Sequence, residues 1–362
     1  MKQLKFISIF MLLANCLFAQ DLANYADSIR KANNIPELAF AVVTGDSILE
    51  MSFLGHHSIN LPDTATSTDR FHLGSLTKAM TGFIAAKVVE EGKIDWNTKF
   101  FDVYPEWQRT CDSAYFNITL AELLSHRARI KPFTEDNEYL PIPLFKGDKE
   151  ERREGFGKWV LTLKPVIEDT SVHYNYSNAG YVLAALMLER VTNKTWEKLD
   201  SICFNQCLGI NTRFSWPDNQ TKKDTWGHWM VGDSLKPVPS TVKYHLDYGE
   251  PAGDINITLP DYIKFIQLNI QGLEGKDNFL KGSTYTFIHK GIPNYSIGWA
   301  NIYDRGKEFS AHSGTAGTYF ATVSIDRQKD IAYIIFMNTA TDDAVSGIRV
   351  LLKQLKVKYG SW

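Results

Sequence analysis

A chain of 362 residues with 44% apolar and 13% aromatic side chains is long enough and apolar enough to bury a large core, as one large domain or two intimate ones. Its formal charge of −2, without a basic run, excludes the electrostatic footprint of a nucleic-acid binder. Neither an internal repeat nor a low-complexity tract interrupts it.

In chain order the first feature is a leader. MKQLK is a basic start, FISIFMLLA an apolar stretch of signal-peptide length, and CLFAQD offers small residues for cleavage, with Ala19 the last residue removed and Gln20 the close alternative. The stretch is too short to span a bilayer as a helix, and no other apolar run reaches about 18 residues. The mature chain is therefore expected to be exported, periplasmic or secreted, without a transmembrane segment. Leu13-Ala14-Asn15-Cys16 loosely matches a lipoprotein box, but Asn15 is atypical there, so anchoring through Cys16 is the lesser expectation. Once the leader is removed, Cys111, Cys203 and Cys207 remain, an odd count that argues against a disulfide framework. They read as free, buried cysteines; Cys203 and Cys207 lie near a helix end without a third or fourth ligand at metal-binding spacing. His56, His57, His228 and His245 are isolated in sequence and read as structural. Neither a metal nor an organic cofactor is expected.

After a helix over 22–34, ELAFAVVTG and SILEMSFLG read as a hairpin turning at Asp46. FHLGSLTKAMTGFIAAKVVEEGK follows. Leu76, Met80, Phe83, Ile84 and Val88 recur at helical steps, which predicts an amphipathic helix begun at Gly74-Ser75 and capped near Gly92. Residues 98–245 carry helical patterns between Pro-rich and charged loops. From 295 the chain turns to an antiparallel meander, NYSIGWANIY, EFSAH, GTYFATVSI and IAYIIFMN, before a closing amphipathic helix. The pattern predicts an α+β fold in which both termini complete one antiparallel sheet, helices pack on it, and a mainly helical subdomain is inserted. Residues 1–19 are the leader and 20–362 one domain, with an α/β part at 22–97 plus 246–362 and a helical part at 98–245.

Three stretches stand out within this pattern. Ser75 and Lys78 sit one helical turn apart on one face, at a helix start whose free N–H groups can steady an oxyanion while the lysine, if neutral, takes the serine proton. Two other Ser-x-x-Lys tetrads, Ser28–Lys31 and Ser240–Lys243, lie in a short polar helix and a Pro-punctuated loop, so context singles out Ser75. Tyr176-Ser177-Asn178 precedes an apolar helix and offers a phenol and an amide, whereas Tyr115-Phe116-Asn117, with the same spacing, lies in a polar stretch. His312-Ser313-Gly314 ends one strand, and Thr315–Gly317 leads into another, with glycines that let a substrate backbone approach.

In this order the three stretches resemble the β-lactamase/penicillin-binding-protein serine hydrolases, and more narrowly their class C β-lactamase, D-Ala-D-Ala carboxypeptidase and esterase branch. The likeness extends through most of residues 35–340, including ITLAELLSH, LGINTRF and PAGDINITLPDYIKF. It implies a β-lactamase/transpeptidase-like fold and a hydrolase that acts on a small-molecule, peptide or ester substrate, peptidoglycan-derived material included. Ser75 would be acylated, Lys78 and Tyr176 would share proton transfer, and Asn178 would orient Lys78 and substrate. His312, Ser313, Gly314 and Thr315 would line the substrate strand, with the Ser75 and Thr315 amides as the oxyanion hole. Which of Lys78 and Tyr176 takes the serine proton stays open. Alternatives within the likeness are a true class C-like β-lactamase and a penicillin-binding sensor that does not turn over.

Three departures bear on substrate. Arg127-Ala128-Arg129 stands where the branch usually has Thr-Ser-Gly, Asp254 stands where a second glycine is usual, and His312 stands where dedicated β-lactamases generally carry lysine. A histidine is mostly neutral near pH 7, so the sequence predicts peptidase or esterase activity, slow β-lactam hydrolysis, and carboxylate binding that strengthens as His312 protonates.

Overall fold

The computed structural model describes residues 22–135, 138, 141–166, 174–220, 224–242 and 248–362. The leader with Cys16 and Ala19, together with Lys243 and His245, lies outside the described residues. Six strands form one antiparallel sheet. They are β1 (Glu37–Thr44), β2 (Ile48–Gly55), β8 (Ala300–Asp304), β9 (Lys307–Thr315), β10 (Phe320–Asp326) and β11 (Ile331–Met337), in the order β2-β1-β11-β10-β9-β8. The two ends of the chain meet at its centre, where β1 pairs with β11 from Leu38 opposite Met337 to Thr44 opposite Ile331.

Alternation along these strands explains why they are so apolar. Leu38, Phe40, Val42, Tyr333 and Ile335 pack in one cluster with Ile348 and Leu351 of the closing helix Asp342–Lys358. Ala39, Ala41, Val43, Ile334 and Phe336 point the other way, into the main core with helix Leu259–Leu273. Strands covered on both faces lose their polar positions. The edge strand β2 is different and exposes Ile48, Leu49 and Met51.

The helix opened by Ser75 runs as a 3₁₀ turn, Gly74–Leu76, into the α-helix Thr77–Glu90. It was expected to bury one face, but residues Thr77 through Ala86 are all buried. The reason is position: this helix runs through the main core, packed against the helical region as well as against the sheet side. The stretch 98–245 is also less purely helical than its pattern predicts. Besides helices Leu120–Leu124, Lys149–Val160 and Asn178–Thr192 it holds β4 (Arg213–Phe214) and a hairpin of β5 (Gly227–Val231) and β6 (Ser234–Val238). The hairpin leans on the main sheet through His228, whose Nδ1 lies 3.0 Å from the Asn338 carbonyl oxygen. β4 joins β3 (Arg70–His72) and β7 (Ile255–Thr258) in a small sheet ordered β3-β7-β4. Of the three described cysteines only Cys203 is buried; Cys207, near the end of the π-helical turn Ser201–Leu208, is exposed and Cys111 is half-buried. Among the described residues no helix is long and apolar enough to cross a membrane.

Candidate active site

Ser75 is partly exposed on a turn whose neighbours are buried. Gly74 takes φ +52°, a left-handed value that favours glycine. Below the turn, the Gly74 amide donates to His72 Nδ1 at 3.2 Å, and His72 Nε2 faces Asp254 Oδ1 at 3.4 Å. The other Asp254 oxygen accepts from the Ser215 amide at 3.1 Å. Asp254, expected at the cleft, is instead buried beneath the nucleophile turn, because β3 pairs with β7 and brings residue 72 beside residue 254. From the sheet side, β9 passes so close that a Cβ on Gly314 would collide with the Leu73 carbonyl and the Ser75 amide nitrogen, and one on Gly74 with the Thr315 backbone. The amides of Ser75 and Thr315 are thereby held next to each other.

Lys78 is fully buried on the first turn of the helix. Its Nζ lies 3.1 Å from Ser75 Oγ, 2.6 Å from Asn178 Oδ1 and 2.8 Å from the Ala252 carbonyl oxygen. The faces of Tyr176 and Tyr181 wall it at 4.8 and 5.5 Å. No carboxylate of the described residues makes a salt bridge with it, so burial pushes its amine well below the ordinary lysine value. A neutral amine has two N–H bonds and one lone pair. The two carbonyl-type oxygens can only accept, so they take both N–H groups and leave the lone pair for the Ser75 hydroxyl.

Asn178 begins helix Asn178–Thr192, where Ser177 caps by accepting from the Gly180 amide at 3.1 Å. The Asn178 amide is committed on both sides, since its Nδ2 donates to the Phe133 carbonyl at 2.6 Å. That fixes Oδ1 toward Lys78, so Asn178 holds the lysine, and Phe133 takes only one of the two N–H groups of its amide. The Tyr176 phenol is pushed up by burial, partly offset by its hydrogen bond with Ser75, so it remains protonated near neutral pH.

His312 corrects the sequence reading. It is buried in β9, and the whole stretch His312–Thr315 belongs to that strand. Its Nδ1 lies 2.8 Å from the Ser313 carbonyl oxygen, which can only accept, so Nδ1 carries the proton and Nε2 accepts from the Tyr295 hydroxyl at 2.8 Å. Protonating Nε2 breaks that bond. Burial, its largest cause, holds His312 down at about 3. It supplies no cation to a substrate carboxylate at mildly acidic pH, and the expected strengthening of carboxylate binding falls with it. Ser313 is exposed, its hydroxyl 2.8 Å from that of Thr322, and Thr315 is exposed at the strand end.

Arg127 likewise does not stand free in a cleft. It donates to the carbonyls of Ser125, Tyr295 and Pro293 at 2.8, 2.9 and 2.5 Å and so ties the loop of Tyr295 to the end of helix Leu120–Leu124. The decoys fall away. Ser28 bonds its own helix at the Tyr25 carbonyl, Lys31 pairs with Asp27, and Asn117 pairs with surface Lys99. Four contributors were missed: the Ala252 carbonyl, His126, Tyr181 and Tyr295. His126, at φ +62°, stacks 4.2 Å from the Tyr176 ring and 4.6 Å from that of Tyr295, and its Nδ1 accepts from the Ser177 amide at 3.1 Å. Its place in ITLAELLSH was the one available signal. A backbone carbonyl leaves none.

Comparisons with known proteins bear on the family and the fold. The family model described as Beta-lactamase matches residues 22–356. Protein flp of Staphylococcus aureus (strain N315) is 20% identical over 310 residues, 84% of this chain and 60% of its own length, so the chain spans about 60% of that relative. Among solved structures, the octameric penicillin-binding protein homologue from Pyrococcus abyssi superposes with a TM-score of 0.74 at 17% identity, covering 94% of this chain and 77% of that one. D-amino acid amidase from Ochrobactrum anthropi SV3 superposes at 0.72 and 19% identity, covering 94% and 99%. These likenesses show the β-lactamase/transpeptidase-like fold.

Proposed function

Because the chain belongs to the β-lactamase family, we propose that it is a serine hydrolase that cleaves an uncharged amide or ester next to a D-configured or peptide-like acyl group through an acyl-enzyme on Ser75. The observation that carries this reading is Lys78: a buried amine with two carbonyl-type oxygens at 2.6 and 2.8 Å to take its N–H groups and the Ser75 hydroxyl at 3.1 Å. In the acylation step Ser75 Oγ bonds to the substrate carbonyl carbon while its proton passes to Lys78 Nζ. The Tyr176 hydroxyl gives its proton to the departing amine or alkoxide and is reprotonated from Lys78. The Ser75 and Thr315 amides hold the developing oxyanion. Water then attacks the ester, loses its proton to the same base, and returns Ser75 to its hydroxyl form. Between the two bases, the neutral lysine and the high phenol favour Lys78 as first acceptor.

The neutral His312 favours a substrate without a carboxylate at that strand, which suits an amino-acid amide or an ester better than a penicillin. The likeness to a D-amino acid amidase points the same way. The basic-then-apolar start of the chain supports export. The test is a panel of D- and L-amino-acid amides, a D-Ala-D-Ala peptide, p-nitrophenyl esters and nitrocefin, with fluorophosphonate labelling mapped by mass spectrometry. Labelling confined to Ser75 and turnover of amides or esters above nitrocefin are expected. A label elsewhere, or one that survives Ser75→Ala, rejects the nucleophile; nitrocefin turnover near about 10⁸ M⁻¹s⁻¹ rejects the substrate class.

A further inference from the structure

A second cluster of ionisable side chains lies where the chain enters the main sheet. Glu37 is the first residue of β1, His57 follows β2, and Asp69 precedes β3. One ligand atom from each lies within 4.8 Å of the others. Glu37 is fully buried, and neither of its carboxylate oxygens finds a hydrogen-bond partner. Asp69 and Thr225 are close enough to act on it, but neither meets it in hydrogen-bond geometry, and the Thr225 hydroxyl is itself unpartnered. His57 Nε2 lies 2.9 Å from Asp69 Oδ1, and its Nδ1 faces Asp63 Oδ2 at 2.8 Å. Among the described residues no lysine or arginine pairs with any of the three acids; neighbouring Arg70 is turned away onto Asn256 and Asn211. Three carboxylates converge on one imidazole, and the most buried of them has no donor. An uncompensated buried acid is costly, and a cation removes the cost.

We propose that Glu37, His57 and Asp69 form a binding site for one divalent transition-metal ion of the zinc or manganese class, separate from the Ser75 site. An imidazole with carboxylates is the donor set such ions take, whereas calcium and magnesium prefer oxygen alone. His57 binds through Nε2. Its other nitrogen faces Asp63 Oδ2 at 2.8 Å, so that with an ion on Nε2 the carboxylate would fix the ring's tautomer and orientation. The backbone around the cluster is already tied together: the Glu37 amide donates to Asn338 Oδ1 at 2.8 Å, and Asn338 Nδ2 donates to the His57 carbonyl at 3.1 Å. An ion there clamps the start of β1, the loop between β2 and β3, and β3 itself, which carries His72. The inference does not depend on what Ser75 does.

The test uses the full chain, stripped with chelator and dialysed, then titrated separately with Zn²⁺, Mn²⁺ and Ca²⁺ while metal content, calorimetric binding and melting temperature are followed. About one equivalent of zinc or manganese should bind, raise the melting temperature by a few degrees, and leave calcium without effect. Glu37→Gln and His57→Gln should abolish binding, and Asp63→Asn should weaken it about 10- to 100-fold. Cobalt substitution should give visible bands in wild type that are lost in His57→Gln. If Glu37→Gln does not fold, partly exposed His57 supplies the variant, and the wild-type isotherm stands by itself. Stripped protein that binds neither ion and melts unchanged in their presence overturns the proposal, as does binding that survives both substitutions.

Discussion

Two buried cations in this protein meet opposite fates. Lys78 is enclosed by carbonyl oxygens and tyrosine faces without a carboxylate, and burial drives its amine toward the neutral form. Arg153, equally buried in helix Lys149–Val160, meets Glu189, Glu197 and Glu250. Those charges outweigh desolvation and hold its guanidinium firmly charged. The cost of burial is similar, so counter-charge decides which cation becomes a base and which becomes a clamp. The two are also joined mechanically. Glu250 opens the short helix Glu250–Gly253, whose Ala252 carbonyl holds Lys78 and whose Pro251 carbonyl accepts from Thr81 at 2.7 Å. The charged cluster thus fixes the acceptor that orients the neutral one.

The sharpest way to break this contrast is Lys78→Arg, which swaps a group that can lose its proton for one that cannot. Turnover of a p-nitrophenyl ester should fall by about 10⁴-fold or more, toward the floor set by Ser75→Ala. Because burial lowers the Lys78 amine, the rate should rise at lower pH than with an ordinary lysine of about 10.4, which would make it climb toward pH 10. A steady climb through that range, or an active arginine variant, would show that Lys78 is charged and not the base.

Arg153→Met tests the other half. It removes the cation shared by three acids, of which Glu197 and Glu250 keep only Lys149 at 3.9 and 3.1 Å, and should cost about 3–5 kcal/mol in chemical denaturation. Lys78→Met abandons two carbonyl-type acceptors and no acid, so it should cost less than about 2 kcal/mol. Equal losses would mean that Lys78 is buried as an ion after all.

Tyr176→Phe should lower kcat for amide substrates by about 10²-fold while leaving ester KM nearly unchanged, since a poor leaving group needs the proton more. The comparison Tyr115→Phe should not change kcat, since Tyr115, in the 3₁₀ turn Ser113–Tyr115, makes none of the contacts described for Ser75, Lys78, Tyr176 and Asn178. The smallest expected effect is a null one: the nitrocefin-to-ester ratio of kcat/KM should be flat between about pH 5 and 8, because His312 gains its proton only near 3. A ratio that rises as pH falls would restore the imidazolium as a carboxylate receptor.

The sequence by itself determined the architecture and the polar triplets. β11 and most of β1 are legible because strands buried on both faces run nearly continuously apolar, β10 because Ala321, Val323 and Ile325 alternate with Thr322, Ser324 and Asp326, and the helix of Ser75 because its apolar steps recur at the helical period. Ser75, Lys78, Tyr176 and Asn178 could be named because each sits at an element start, where side-chain direction follows from local geometry. Only the tertiary structure decided their states. That burial drives the Lys78 amine toward its neutral form depends on neighbours brought from far along the chain, one of them a backbone carbonyl 174 positions away. His312 looks like any half-titrating imidazole until Tyr295 and burial fix its proton, and Asp254 looks like a cleft residue until β3 and β7 pair. Glu37, His57 and Asp69 are scattered along the chain and meet only because β1, the loop after β2 and β3 converge. Protonation and coordination are set by neighbours in space, through distance and dielectric, and a linear sequence does not carry either.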